Sequence, residues 1–193
     1  MKLMSFFDNP KNAGLAFMVL AVIEIIGAII ALADAFTADE IKIGAILVGV
    51  GGLLSAVLYF YFGRSVRDGM SKIDILANFV MVNGLIYIIG GVFGLVNDIG
   101  SGIVSIIIGI IIVLIGKRIN DNSQDTFDKI IWIVLLILFI LGALGSIIAI
   151  FGVFNGDILT ILMNILVTVS SIVVAVFMLL LLFDADVKKQ MGM

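Results

Sequence analysis

Between Ile88 and Ile119 the chain reads IIGGVFGLVNDIGSGIVSIIIGIIIVLIGKRI, two apolar runs joined by a short polar turn and closed by a basic pair. A bilayer core about 30 Å thick takes about 20 apolar residues at 1.5 Å each, so a pair of this kind is a membrane hairpin. Helices apolar on every face have no side to offer water, which excludes a soluble bundle. The same pattern recurs along the chain. The expected spans are 13–35, 41–62, 75–96, 99–115, 130–154 and 158–183, with the fourth at the short end of the usual range. The fold class is therefore all-α: one polytopic six-helix membrane domain built as three tandem hairpins.

The odd spans align without gaps. Ile25-Ile26-Gly27 matches Ile88-Ile89-Gly90, and Gly91 to Asn97 matches Ala149 to Asn155. Two spans per unit make the repeats parallel, whereas many alternating-access transporters use inverted halves. Before the first span, Met1 to Asn12 forms a short lead in which Asp8 or Asn9 caps a helix that has Pro10 in its first turn. The first apolar run is expected to be a retained span and not a cleaved signal. Asn120 to Lys129 is expected to be a loop, the most polar segment of the chain.

Composition narrows the chemistry. Of 193 residues 63% are hydrophobic and 13% charged, far from globular averages near 45–50% and 25%. With no Cys and no His, thiol chemistry, disulfides and the commonest metal ligand are all missing. The loops are too short to build an active site, so no enzyme activity, cofactor or metal is expected. Every Lys and Arg except Lys42 falls on the side that holds both termini, which makes that side cytoplasmic.

Helices in lipid are held by close packing of small residues and by hydrogen bonds. Each span carries such a stripe, including Ala21, Gly27, Ala28 and Ala31; Gly90, Gly91 and Gly94; and Gly142, Gly145, Ala149, Gly152 and Gly156. Close helix packing is the plainer reading of these stripes, and a solute path is the sharper one. The sixth span adds Thr160, Asn164, Thr168 and Ser171, more polar groups than packing requires. Glu24, in the middle of the first span, shares the small-residue face. A carboxylate there costs several kcal/mol unless paired, and the one cation in any expected span, Lys42, stands at the outer end of the second, so a protonated acid is expected. Through the repeat, Glu24 corresponds to Tyr87, with Asn83 one turn away, and a hydrogen bond from Glu24 to one of them is expected.

The unit of Gly, aliphatics, outward turn and a run such as Ser105 to Gly116 resembles the hairpin repeat of the HdeD-type acid-resistance membrane proteins. That family is also six-spanning and of similar length. The Pro common in its outer turns is absent here. The resemblance implies a prokaryotic inner-membrane protein linked to acid or envelope stress. The expected function is thus a small non-catalytic membrane protein of stress-response or accessory type. A proton-linked channel or transporter using Glu24 and the polar stripe of the sixth span is the alternative. The lipid bilayer is the expected environment, a second copy or another membrane protein the expected partner within it, and nucleic acid is not expected.

Overall fold

The computed structural model describes residues 2–37, 43–121, 124–154 and 158–193. Eight α-helices follow one another among them: α1 (Lys2–Phe7), α2 (Pro10–Thr37), α3 (Ile43–Arg67), α4 (Lys72–Gly94), α5 (Ile99–Asn120), α6 (Thr126–Ile148), α7 (Ile158–Leu182) and α8 (Ala185–Gln190), with a 3₁₀ turn at Ala149–Gly152 after α6. Six of them, α2 to α7, are long and apolar enough to cross a bilayer, and the chain is a multi-pass membrane protein. The lead folds as α1, and the Asn9 side chain accepts from the Lys11 amide at the start of α2. Ile41, the expected start of the second span, and Gly156 lie outside the described residues.

The spans differ from expectation mainly at their basic ends. Helix α3 continues through Arg64 and Arg67, and α5 through Lys117 and Arg118 to Asn120. Cations in the last turn complement the helix dipole and need not end the helix. Helix α5 has 22 residues, its added length being the basic end from Gly116 to Asn120. Of the expected loop from Asn120 to Lys129, Asn120 closes α5 and Thr126 to Lys129 open α6, with Asp125 and Asp128 as a reciprocal capping box.

Packing follows a ring. Each helix touches its chain neighbours and α7 returns to α2, while α5 and α6 meet only sparsely and leave a seam. The first two hairpins are held by backbone contact at glycine. A Cβ added to Gly84 would lie 2.7 Å from the Val113 nitrogen, and one added to Gly109 2.6 Å from the Gly84 oxygen. Gly91 against Gly102, and Gly14 against Gly63, repeat this approach. The α6–α7 hairpin has no such contact: around Gly142, Gly145 and Gly152 nothing lies within 4 Å.

The large buried side chains occupy one half of the bundle. Phe17, Phe62, Leu76, Ile119, Trp132, Leu135, Phe177, Met178 and Leu182 form a single cluster with Val187 and Met191 of the C-terminal tail. Leu135, the member farthest from the basic end of its helix, is nine residues from Thr126, about 14 Å at 1.5 Å per residue. The cluster thus fills about half of a core about 30 Å thick. Toward the hairpin turns the buried residues are mostly Ala, Gly, Ser and Thr where helices touch.

Polar clamps tie the basic end. Arg118 of α5 pairs with Asp125 and, at 3.0 Å, with Asp128, whose side chain is buried at 3% exposure. The guanidinium also lies over the Phe127 ring. Lys72 of α4 pairs with Asp184, and the Trp132 indole donates to the Leu182 carbonyl at 3.0 Å. The hydrogen bond from Lys72, with further help from the Asp186 amide and against the opposing effect of burial, holds the Asp184 carboxyl below its ordinary range.

Two outcomes follow from this packing. Gly84→Ala drives a methyl into the α5 backbone and is expected to cost about 1–3 kcal/mol. Gly90→Ala has open space around it and is expected to be neutral or stabilising by up to about 1 kcal/mol through helix propensity; thermal unfolding of the two variants in detergent checks the opposite signs. For Asp184, whose folded value is depressed, the pair's stabilisation is complete above the unfolded carboxylate range near 3.9 and is lost as pH falls through the lower folded value. Asp184→Asn should lose about 1 kcal/mol at neutral pH and show a flatter acid limb when melting is followed from pH 6 downward.

Candidate functional site

Helical register decides what faces the axis of the ring. On α2, Phe17 lies in the core cluster and Leu20 lines a cavity between α2, α4, α5, α6 and α7. Glu24 follows seven residues after Phe17 and four after Leu20, on the same face, so it too looks toward the axis. It lies beyond the large-residue core and is exposed there. Gly27 and Ala31 continue this side of α2 and are also uncovered, whereas Ala21 and Ala28 are buried, Ala28 against Gly49 and Gly52 of α3.

The partner expected for Glu24 is corrected. The Asn83 carboxamide accepts a hydrogen bond of 2.8 Å from the Tyr59 hydroxyl of α3 and donates one of 2.8 Å to the Phe79 carbonyl. Tyr87 is half exposed, and no hydrogen bond joins it to Glu24 among the described residues. The repeat alignment sets α2 opposite α4, but α3 packs between them and supplies the nearer group. Glu24 lies within electrostatic reach of Tyr59, so Glu24, Tyr59 and Asn83 form a polar line across three helices. Tyr59 went unnoticed in the sequence because it sits in the aromatic run Tyr59 to Phe62, where nothing sets it apart from its neighbours.

Asn83 also borders the axial cavity, whose volume is about 390 Å³. Phe79, Val80, Ile112, Leu135, Leu138, Phe139 and Met178 make its walls apolar, and Ser146 and Ser171 add hydroxyls. Ser146 donates to the Gly142 carbonyl. Ser171 has no hydrogen-bond partner among the described residues.

The polar stripe of α7 divides. Asn164, seven residues before Ser171, and Thr160 share its axis-facing side; Asn164 is half-buried and Thr160 exposed. Thr168, four residues after Asn164 and three before Ser171, shares this side but is buried at 7% exposure, and Ser170 beside it is equally covered. On α4, Gly90 and Gly94 follow Asn83 by seven and eleven residues and meet nothing within 4 Å. The glycines of the turn half therefore split into contact positions and open ones, and of the open ones Gly27, Gly90 and Gly94 lie on the same helix sides as Glu24 and Tyr87. The structure brings Asn83 and Ser171 to one cavity, places Glu24 one turn beyond it, and buries Thr168.

Chemically the site offers one carboxyl, two phenols, two carboxamides and several hydroxyls in an apolar frame. Among the described residues no group of His, Cys, Asp and Glu could hold a metal ion. No family model, curated protein or solved structure matches the chain.

Proposed function

We propose that this protein is a small proton- or cation-linked channel or transporter whose path follows the ring axis. The observation that carries it is the pairing of an open turn half, with Glu24 facing the axis, and a basic half filled by Phe17, Phe62, Leu76, Phe177 and Leu182. A wide polar mouth above an apolar plug is the form of a path closed at one end. An intramembrane acid facing such a cavity is a functional group by default, because its cost needs an offsetting use. Glu24 exchanges a proton or holds a cation, and Tyr59 and Asn83 extend the polar line toward the cavity.

The accessory reading keeps one supporting observation. Gly145 of α6 is open and exposed, a surface on which a partner helix or a second copy packs closely in lipid. We place the protein in a prokaryotic cell membrane with cytoplasmic termini, as the cations Arg64, Arg67, Lys117, Arg118, Lys188 and Lys189 at one end of the bundle support. A link to acid or envelope stress, suggested by the HdeD-type resemblance, belongs to the same proposal, as does the absence of catalysis.

The test is dissipation of a pH gradient in proteoliposomes at matched reconstitution. Wild-type protein is expected to dissipate the gradient, Glu24→Gln to match protein-free vesicles, and Glu24→Asp to retain part of the flux. No flux from wild type and variants that melt alike would overturn it.

A further inference from the structure

Beyond the last span the chain turns at Asp184 and runs as α8 across the basic end of the ring, where it packs on α4 as well as on α7. Six residues are far fewer than the about 12–15 at which an isolated helix becomes marginal, so α8 depends on what holds it. Its N-cap does two jobs: the Asp184 carboxylate accepts from the Asp186 amide at 3.0 Å and from the Lys72 ammonium at the start of α4. Val187 and Met191, one turn apart, are fully buried in the same cluster as Leu76 and Leu182. The Lys188 ammonium lies 5.1 Å from the centre of the Phe183 ring and 6.0 Å from that of Trp132. Gly192, at φ +72°, closes a Schellman turn in which the Met193 amide donates to the Lys188 carbonyl at 2.9 Å and the Gly192 amide to the Lys189 carbonyl at 3.2 Å. That turn rests against the link between α5 and α6, since a Cβ on Gly192 would lie 3.2 Å from the Gln124 carbonyl oxygen.

We propose that the C-terminal tail, 184–193, is a releasable strap that seals the basic end of the axial path. Docked, it adds Val187 and Met191 to the apolar plug; released, α8 melts and uncovers the plug from that side. This rests on the axial path proposed above and names what closes it. Three observations carry it. Lys72 stands one turn before Leu76 on α4, and Asp184 two residues after Leu182, so their ion pair joins two plug residues of different helices. Helices α4 and α7 otherwise meet only sparsely, and the α6–α7 hairpin that the tail continues lacks a glycine contact, so the strap fastens the loosest hairpin to α4. The tail is also undercut on its polar sides. A cleft of about 640 Å³ lies between Asp186, Lys189 and Gln190 of α8 and Ser71, Lys72 and Ile73 at the start of α4. Another of about 360 Å³ lies behind the turn, lined by Ser5, Asp8, Leu180 and Phe183. A narrow apolar grip with open space beside it lets the tail lift at Asp184, outside α7, while the spanning helices stay intact.

The experiment follows pH-gradient dissipation by the full chain in proteoliposomes. A Val187→Ser/Met191→Ser double variant removes the apolar grip and is expected to raise flux at least several-fold, a rise abolished by adding Glu24→Gln. The opposite arm holds the tail down with its grip intact. The chain has no cysteine of its own, so an Ile73→Cys/Gln190→Cys variant can be bridged across the cleft with a reducible bis-maleimide. Bridging is expected to lower flux at least several-fold and reduction of the linker to restore it; this arm decides the matter if the released variant does not fold. Gly84→Ala, which loosens the bundle away from the strap, is expected to leave flux at or below that of wild type, and an equal rise there would mark a general leak and overturn the strap. Glu24-dependent flux that neither release nor bridging alters would overturn the strap and leave the axial path standing. No flux from the wild-type, released or bridged protein would overturn the axial path, and the strap with it.

Discussion

Inside hydrocarbon no hydrophobic effect draws one apolar helix to another, so the bundle depends on how closely two backbones approach. Glycine sets that distance. Where Gly84 faces Gly109 and Gly91 faces Gly102, the α4 and α5 backbones come into contact, and the hairpin stays closed along its length. The same residue type produces the opposite result at Gly90 and Gly94, which look toward the axis with nothing against them. One chemical device thus builds both the wall of the ring and the space within it.

The large side chains finish the asymmetry. With Phe17, Leu76, Trp132, Phe177 and Leu182 gathered at the basic end, that half acts as a plug, tied by Arg118 to Asp128 and by Lys72 to Asp184. The tail joins it by burying Val187 and Met191. Among the described residues the cluster of large buried side chains stops short of the turn half, where Glu24 is exposed. The third hairpin is the loosest part because α6 and α7 lack a glycine contact and are held near the basic end by Trp132 on the Leu182 carbonyl. Looseness there is also what leaves the seam to α5 open.

Much of this was legible in the residues. Run length and composition located six spans and their hairpin order, because a bilayer admits few alternatives. The expected spans stop at Phe62 and Ile115, since an apolar criterion stops before a cation, while the helices continue through Arg67 and Arg118. Glu24 was found from its cost in lipid and its place on the face of Ala21, Gly27, Ala28 and Ala31. Its neighbour was misassigned because an alignment of repeats carries depth but not the identity of the helix beside it; Tyr59 of α3 holds Asn83 instead. Nor could sequence tell a contact glycine from an open one. That distinction depends on what stands opposite, and Gly91 packs where adjacent Gly90 does not.

The chain has no cysteine, so single cysteines can report water along the axis without background. Reaction of a membrane-impermeant thiol reagent, added to the turn side, with Gly27→Cys, Gly90→Cys, Leu76→Cys and Phe177→Cys variants tests the half-open ring most directly. The structure predicts rapid modification at positions 27 and 90, beyond the plug, and none at 76 and 177, within it. Protection of all four positions would mean that the turn half is closed or filled by lipid, and would contradict an aqueous path to Glu24.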